Sequence, residues 1–130
     1  MLRTDIFKTA ERVVTSFIAI RDTLTPPDPT IDVLELDLKH SRQGRFGIGH
    51  HFLINTEGDI QLARDLKTIG SHSRDYDRTS VAIGVVGGVN LEGNREDTRT
   101  PEQVEALSDL TAFLRTLYPS AAVHDRPAAT

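Results

Sequence analysis

A chain of 130 residues is long enough for one domain with a core and too short for two comfortable ones. It contains no cysteine, which excludes a disulfide framework, a thiolate metal ligand and a cysteine nucleophile within these residues. No apolar run approaches the roughly 20 residues a membrane helix requires. The net charge of −4 argues against a nucleic-acid partner, yet twelve of the fifteen basic residues are arginine, partly gathered between Arg64 and Arg78, so a local anionic ligand fits the charge pattern.

Residues 1–8 mix charge through the first turns, so no signal peptide is expected and synthesis in the cytoplasm is the default. Residues 4–12 read as a short helix or an ordered arm (arm, 1–12), and residues 13–20 are β-branched and apolar enough for a buried central strand. Pro26, Pro27 and Pro29 then remove donors and fix φ, which makes residues 25–30 a rigid loop. Over residues 31–40 the apolar positions 34, 36 and 38 alternate like a strand, while 31, 34 and 38 share a helical face. The capping Thr30 and the Glu and Lys content favour helix. Residues 41–45 form a basic loop.

Residues 46–60 join an apolar strand to two adjacent histidines and a turn. Successive side chains on a strand point to opposite faces, so His50 and His51 are expected to separate, one toward a cleft and one into the packing. Asn55, Thr56, Glu57 and Gly58 supply turn chemistry, and a second strand follows near Asp59–Leu62 to complete a hairpin. Residues 63–79 are polar and aperiodic, the pattern of a functional surface loop. Residues 80–86 read as another central strand, closed by Gly87 and Gly88 before a polar loop at 90–99.

Thr100, Pro101 and Gln103 mark the clearest helix start: an N-cap, a proline at the first helical position and a Gln that can complete a capping box. Val104, Leu107, Leu110, Leu114 and Leu117 recur at spacings of three and four and predict one core-facing stripe. Residues 121–124 suit a last short strand, with 125–130 as a loose tail. Strands interleaved with helices indicate a single α/β domain over residues 1–130.

The five histidines, at 40, 50, 51, 72 and 124, show no paired metal-ligand spacing. Gly84-Val-Val-Gly-Gly88 lacks the Lys-Ser/Thr ending of a phosphate loop and reads as a strand end. Asp65, Asp75 and Asp77 do not follow a calcium-loop pattern and read as solvated, with arginine partners. Neither a serine-hydrolase elbow nor a close acid pair appears.

The order Gly49-His50-His51-Phe52, the Gly58 turn, Arg64-Asp65, Gly70-Ser71-His72 and Ser80 to Gly88 resembles the zinc-dependent N-acetylmuramoyl-L-alanine amidases of the small phage-lysozyme type, relatives of the peptidoglycan recognition proteins. The resemblance runs from about 17 to 124 and is most specific across 47–90. It implies a central mixed β-sheet flanked by helices, with a site in a groove across one face. It also implies cleavage of the amide between the lactyl group of N-acetylmuramic acid and L-alanine, by a zinc held on two histidines and a cysteine.

Carried over by position, the first of those histidines is Arg21 here, the second is His124, and the acid/base tyrosine is His50. The third ligand and a catalytic lysine would fall beyond Thr130. A guanidinium has no lone pair for a cation, so only His124 survives as a metal ligand. One expectation is therefore a catalytically degenerate amidase-like protein of phage or prophage origin, without a cofactor. It would bind peptidoglycan fragments or a protein partner through Arg21, His50, His72, Arg74 and Tyr76, in a regulatory or virion-associated role. The other is an active zinc enzyme, released at lysis, in which catalytic His50 and His124 are joined by Asp22 or Asp125 around a rearranged metal. Neither reading involves nucleic acid or a membrane.

Overall fold

In the computed structural model, residues 11–31, 50–70 and 77–127 are described. Their strands are β1 (Phe17–Asp22), β2 (Phe52–Ile54), β3 (Ile60–Leu62), β4 (Ser80–Val85) and β5 (Ala122–Arg126), with a short 3-10 turn (Asp77–Thr79) before β4 and one α-helix, α1 (Pro101–Leu117), between β4 and β5. They form one mixed sheet in the order β3-β2-β4-β1-β5. β4 pairs in parallel with β1 and β2, β5 is parallel to β1, and β3 returns antiparallel to β2. The expected α/β class and the mixed sheet are what the chain adopts.

β4 is central because every side chain of Ser80–Val85 can be buried, and every one is. Its register with β1 sets two faces. Ile18, Ile20, Val81, Ile83, Val85 and Ile54 share a face and pack with Leu107, Leu110 and Leu114 of α1. Each such fully buried side chain contributes about 1.5–3 kcal/mol relative to an exposed one. The far face carries Ala19, Arg21, Ala82, Gly84, Leu53 and His124.

The helix starts as its sequence dictates. Thr100 Oγ1 accepts from the Gln103 backbone N–H at 3.1 Å, and Gln103 Oε1 accepts from the Thr100 N–H at 2.9 Å. The fully buried Gln103 also donates through Nε2 to the carbonyl of Val86 at 2.9 Å, which joins the helix start to the end of β4. Gly58 turns the β2–β3 hairpin at φ +86°, and a Cβ there would stand 2.7 Å from the carbonyl oxygen of Glu102. Glycine is thus required twice over, for the turn and for the approach of the hairpin to α1.

Several boundaries differ from the sequence expectation. The first strand begins at Phe17 rather than residue 13, since the ladder opens at the Phe17–Ser80 pair and Val13, lacking a sheet neighbour, is almost fully exposed. The buried positions of α1 are Gln103, Ala106, Leu107, Leu110 and Leu114, whereas Val104 and Leu117 are about half exposed. The apolar stripe is narrower than the spacing of aliphatic residues suggests, because the capping Gln103 takes the first buried position. Asp125 and Arg126 belong to β5 and not to a loose tail, since β1 extends far enough to pair with both. The expected helix at 31–40, the basic loop at 41–45 and most of the N-terminal arm lie outside the described residues. Arg12, at the end of that arm, bonds through its backbone N–H to the Lys67 carbonyl at 2.7 Å.

Candidate functional site

The two adjacent histidines separate. His51 is fully buried: the Ala82 N–H donates to its Nδ1 at 3.1 Å, and its Nε2 lies 2.7 Å from the Thr68 carbonyl. A backbone N–H can only donate, so Nδ1 is the acceptor, and the neutral ring carries its proton on Nε2, bonded to Thr68. His51 thus stands in for a ladder partner of β4 and has a structural role. Arg12 supports the same carbonyl, donating from Nη1 to Thr68 O at 2.9 Å and from Nη2 to the Tyr118 hydroxyl at 3.1 Å. Burial lowers the Arg12 guanidinium below its ordinary value, with the contact to Tyr118 opposing.

His50 lies instead over the far face. A Cβ on Gly84 would stand 3.1 Å from its ring atoms Cγ and Nδ1, so the ring rests directly on the glycine backbone of β4. Gly84 is the register partner of Arg21 on β1. On the other side of β1 comes His124 of β5. Arg21 Nη1 donates to the carbonyls of Ile20 at 2.7 Å and His124 at 2.9 Å, and its Nη2 is 3.2 Å from His124 Nδ1. A guanidinium only donates, so Nδ1 is the acceptor of that contact. The far face therefore presents His50, Arg21 and His124 side by side above a floor of small residues, Ala19, Ala82 and Gly84.

The opposite face of the same strand ends is built around Arg99, from the loop before α1. Its Nε donates to Asp22 Oδ1 at 3.0 Å, and its two terminal nitrogens grip Asp125 at 2.9 Å each. Burial alone would lower the Arg99 guanidinium, but the bonds to Asp125 and Asp22 outweigh it and hold the group above its ordinary value.

Of the residues singled out from sequence, the structure brings together Arg21, His50 and His124. Asp22 and Asp125 do not join them. Each follows Arg21 or His124 by one residue, alternation turns it to the α1 face, and Arg99 holds it there, which corrects the expected metal centre of His50, His124 and one of these carboxylates. His72, Arg74 and Tyr76 lie outside the described residues. Asp65 is held within its own turn, accepting from the Lys67 N–H at 3.0 Å. Sequence reasoning missed Arg99 and Arg12, whose partners are 77 and 106 positions away and leave no local signal. Among the described residues no group of three His, Cys, Asp or Glu side chains converges as a metal site. No described helix is long and apolar enough to cross a membrane. A depression beside α1, lined by Ile20, Val104, Leu107, Ser108 and Arg115, contains no imidazole or carboxylate.

Comparison with known proteins shows the family and the fold. Residues 11–127 match the family model described as N-acetylmuramoyl-L-alanine amidase. The endolysin of Enterobacteria phage K11 is 34% identical over 113 residues, covering 87% of this chain and 75% of the endolysin. An endolysin N-acetylmuramoyl-L-alanine amidase from Clostridium intestinale superposes with a TM-score of 0.72 at 25% identity, over 92% of this chain and 74% of that one. A Drosophila peptidoglycan recognition protein shares the fold at a TM-score of 0.69 and 16% identity, over 89% of this chain and 72% of that one.

Proposed function

Because the chain belongs to the N-acetylmuramoyl-L-alanine amidase family, we propose that it keeps the far face of the sheet as a binding site for peptidoglycan fragments and has given up zinc-dependent hydrolysis. The observation that carries this reading is Arg21. Its guanidinium lies across the β1–β5 junction, bonded to the His124 carbonyl and facing His124 Nδ1. A permanent cation there repels a metal ion and engages one of the two ring nitrogens of His124. Arg21, His124 and His50 do not fit a zinc ion as a donor set.

What the same residues offer is recognition. Arg21 is oriented by two carbonyls before any ligand arrives, which lowers the ordering cost of a charge-assisted contact. His50 presents a flat ring on the Gly84 floor, and a ring in that position can lie against a sugar or peptide face. A protein that binds cell-wall fragments without cutting them suits a regulatory or virion-associated role, with a protein partner as the other occupant of the face. A second reading, a zinc amidase with a rearranged centre, draws on the two imidazoles that share this face. It has to find its remaining ligand elsewhere than Asp22 and Asp125.

Metal analysis after dialysis against trace zinc, run beside muropeptide turnover, tests the proposal. The expected result is zinc well below one equivalent and binding without cleavage. Stoichiometric zinc that is lost in His124→Ala, together with release of stem peptide, would overturn it. Arg21→His is expected to leave turnover absent.

A further inference from the structure

We propose that a depression at the amino ends of the parallel strands, walled by Arg12, Thr15, Lys67 and Tyr118, is a binding site for a phosphate group. Its volume is about 310 Å³, and Glu11 and Val13 complete the wall. β1 starts at Phe17 and α1 ends at Leu117, so Thr15 stands just before the one and Tyr118 just after the other, at the end of β1 remote from Arg21. The site therefore stands or falls independently of the reading of the far face.

Hydrogen-bond direction makes this depression a collection of donors. Arg12 Nε donates to Thr15 Oγ1 at 2.6 Å, and its Nη2 donates to the Tyr118 hydroxyl at 3.1 Å. A guanidinium only donates, so both hydroxyl oxygens are acceptors here and each keeps its own proton to give. Among the described residues no acceptor takes either proton. Arg12 Nη1 faces the Thr68 carbonyl at 2.9 Å and His51 Nε2 at 3.3 Å, while Nη2 has a second N–H beyond its bond to Tyr118. Lys67 adds an exposed ammonium from the segment after β3.

Charge points the same way. The half-buried Arg12 guanidinium lies over the Tyr118 ring, 5.5 Å from its centroid, and among the described residues no carboxylate pairs with it or with Lys67. Glu11, the one carboxylate in the wall, is exposed and reaches neither cation. An anion here would neutralise a partly desolvated cation and accept from two hydroxyls already polarised by it. A carboxylate brings two oxygens to these four donor groups, whereas a phosphate brings at least three strong acceptors. The volume lies at the small end of ligand pockets, which suits two sources of that group: inorganic phosphate and a small phosphate monoester.

Titration of the full chain at constant ionic strength, followed by amide NMR, distinguishes them with inorganic phosphate, glycerol 3-phosphate and acetate as probes. Saturable shifts centred on residues 12–15, 67–68 and 118 are expected with phosphate, the tighter of the two phosphate probes identifies the source, and acetate should bind at least tenfold more weakly. Lys67→Gln and Tyr118→Phe should each weaken phosphate binding by roughly fivefold or more, the size of one lost hydrogen bond to a charged group. Arg115→Gln, which removes an exposed cation elsewhere on α1, should bind as wild type does. Absence of saturable binding by either phosphate probe, acetate binding as tightly as phosphate, or an Arg115→Gln effect equal to that of Lys67→Gln overturns the site. So does unchanged phosphate affinity in Lys67→Gln, an exposed substitution that keeps the test decisive even if Tyr118→Phe fails to fold.

Discussion

Two arginines tie the same two strand ends together from opposite sides of the sheet, and they do so with different chemistry. Arg99, on the α1 face, joins β1 to β5 through two carboxylates, and the side chains of Arg99 and Asp22 are only 11% and 4% exposed. Arg21, on the far face, joins the same strands through two carbonyl oxygens and an imidazole nitrogen. In the first site charge meets opposite charge and the group is a structural clasp. In the second the described contacts of the cation are two carbonyls and an imidazole nitrogen, all neutral acceptors. The same residue type thus serves in two different settings on the two faces, a carboxylate clasp on one and a carbonyl and imidazole contact on the other.

If the comparison is right, breaking the clasp has the largest effect. Arg99→Ala removes the cation that the buried Asp22 shares with Asp125, and we expect a loss of about 3 kcal/mol, the low end for breaking a buried pair because Asp125 is a third exposed and can be solvated. Urea unfolding measures it as a lowered midpoint with unchanged slope. A loss below about 1 kcal/mol would show that the clasp is a surface ion pair of little consequence.

Gly84→Ala comes next. The added methyl meets the His50 ring at 3.1 Å, so the ring must lift from the sheet, at about 1–2 kcal/mol for overpacking. The NMR signals of His50 and of the Arg21 side chain should shift together, whereas His51 should not move. Arg21→Leu should then cost about 1 kcal/mol or less, the order of a net hydrogen bond to a neutral acceptor. Its thermal midpoint should stay well above that of Arg99→Ala, and the reverse order would cancel the contrast between the two arginines.

The smallest effect lies far from both sites. Asp28 accepts from the N–H and the hydroxyl of Thr30, and these bonds hold its carboxyl below the ordinary value of 3.8. A depressed carboxyl stabilises the fold above the unfolded-state value, and that contribution disappears as pH falls through the folded-state one. Wild type should therefore melt slightly above Asp28→Ala at neutral pH, with the gap closing in strong acid.

Much of the fold was legible because its signals are local. Thr100, Pro101 and Gln103 announce a helix start, the uninterrupted apolar run at 80–85 announces a central strand, and Gly58 announces a turn. Alternation also separated His50 from His51. The same rule, extended to the pairs Arg21-Asp22 and His124-Asp125, would have removed both carboxylates from any site containing His124. What sequence could not supply was the identity of Arg99 as their partner, because that contact exists only once β1, β5 and the loop before α1 are assembled. The start of the first strand eludes the sequence for a related reason: residues 13–15 have the composition of a strand, but the ladder with β4 opens only at Phe17.

Binding of a muropeptide in the presence and absence of a strong chelator tests most directly whether a fixed guanidinium has replaced the metal in this site. The account predicts equal affinity in both conditions and a loss of tenfold or more in Arg21→Leu. Affinity that collapses with chelator, returns with added zinc and vanishes in His124→Ala would contradict it.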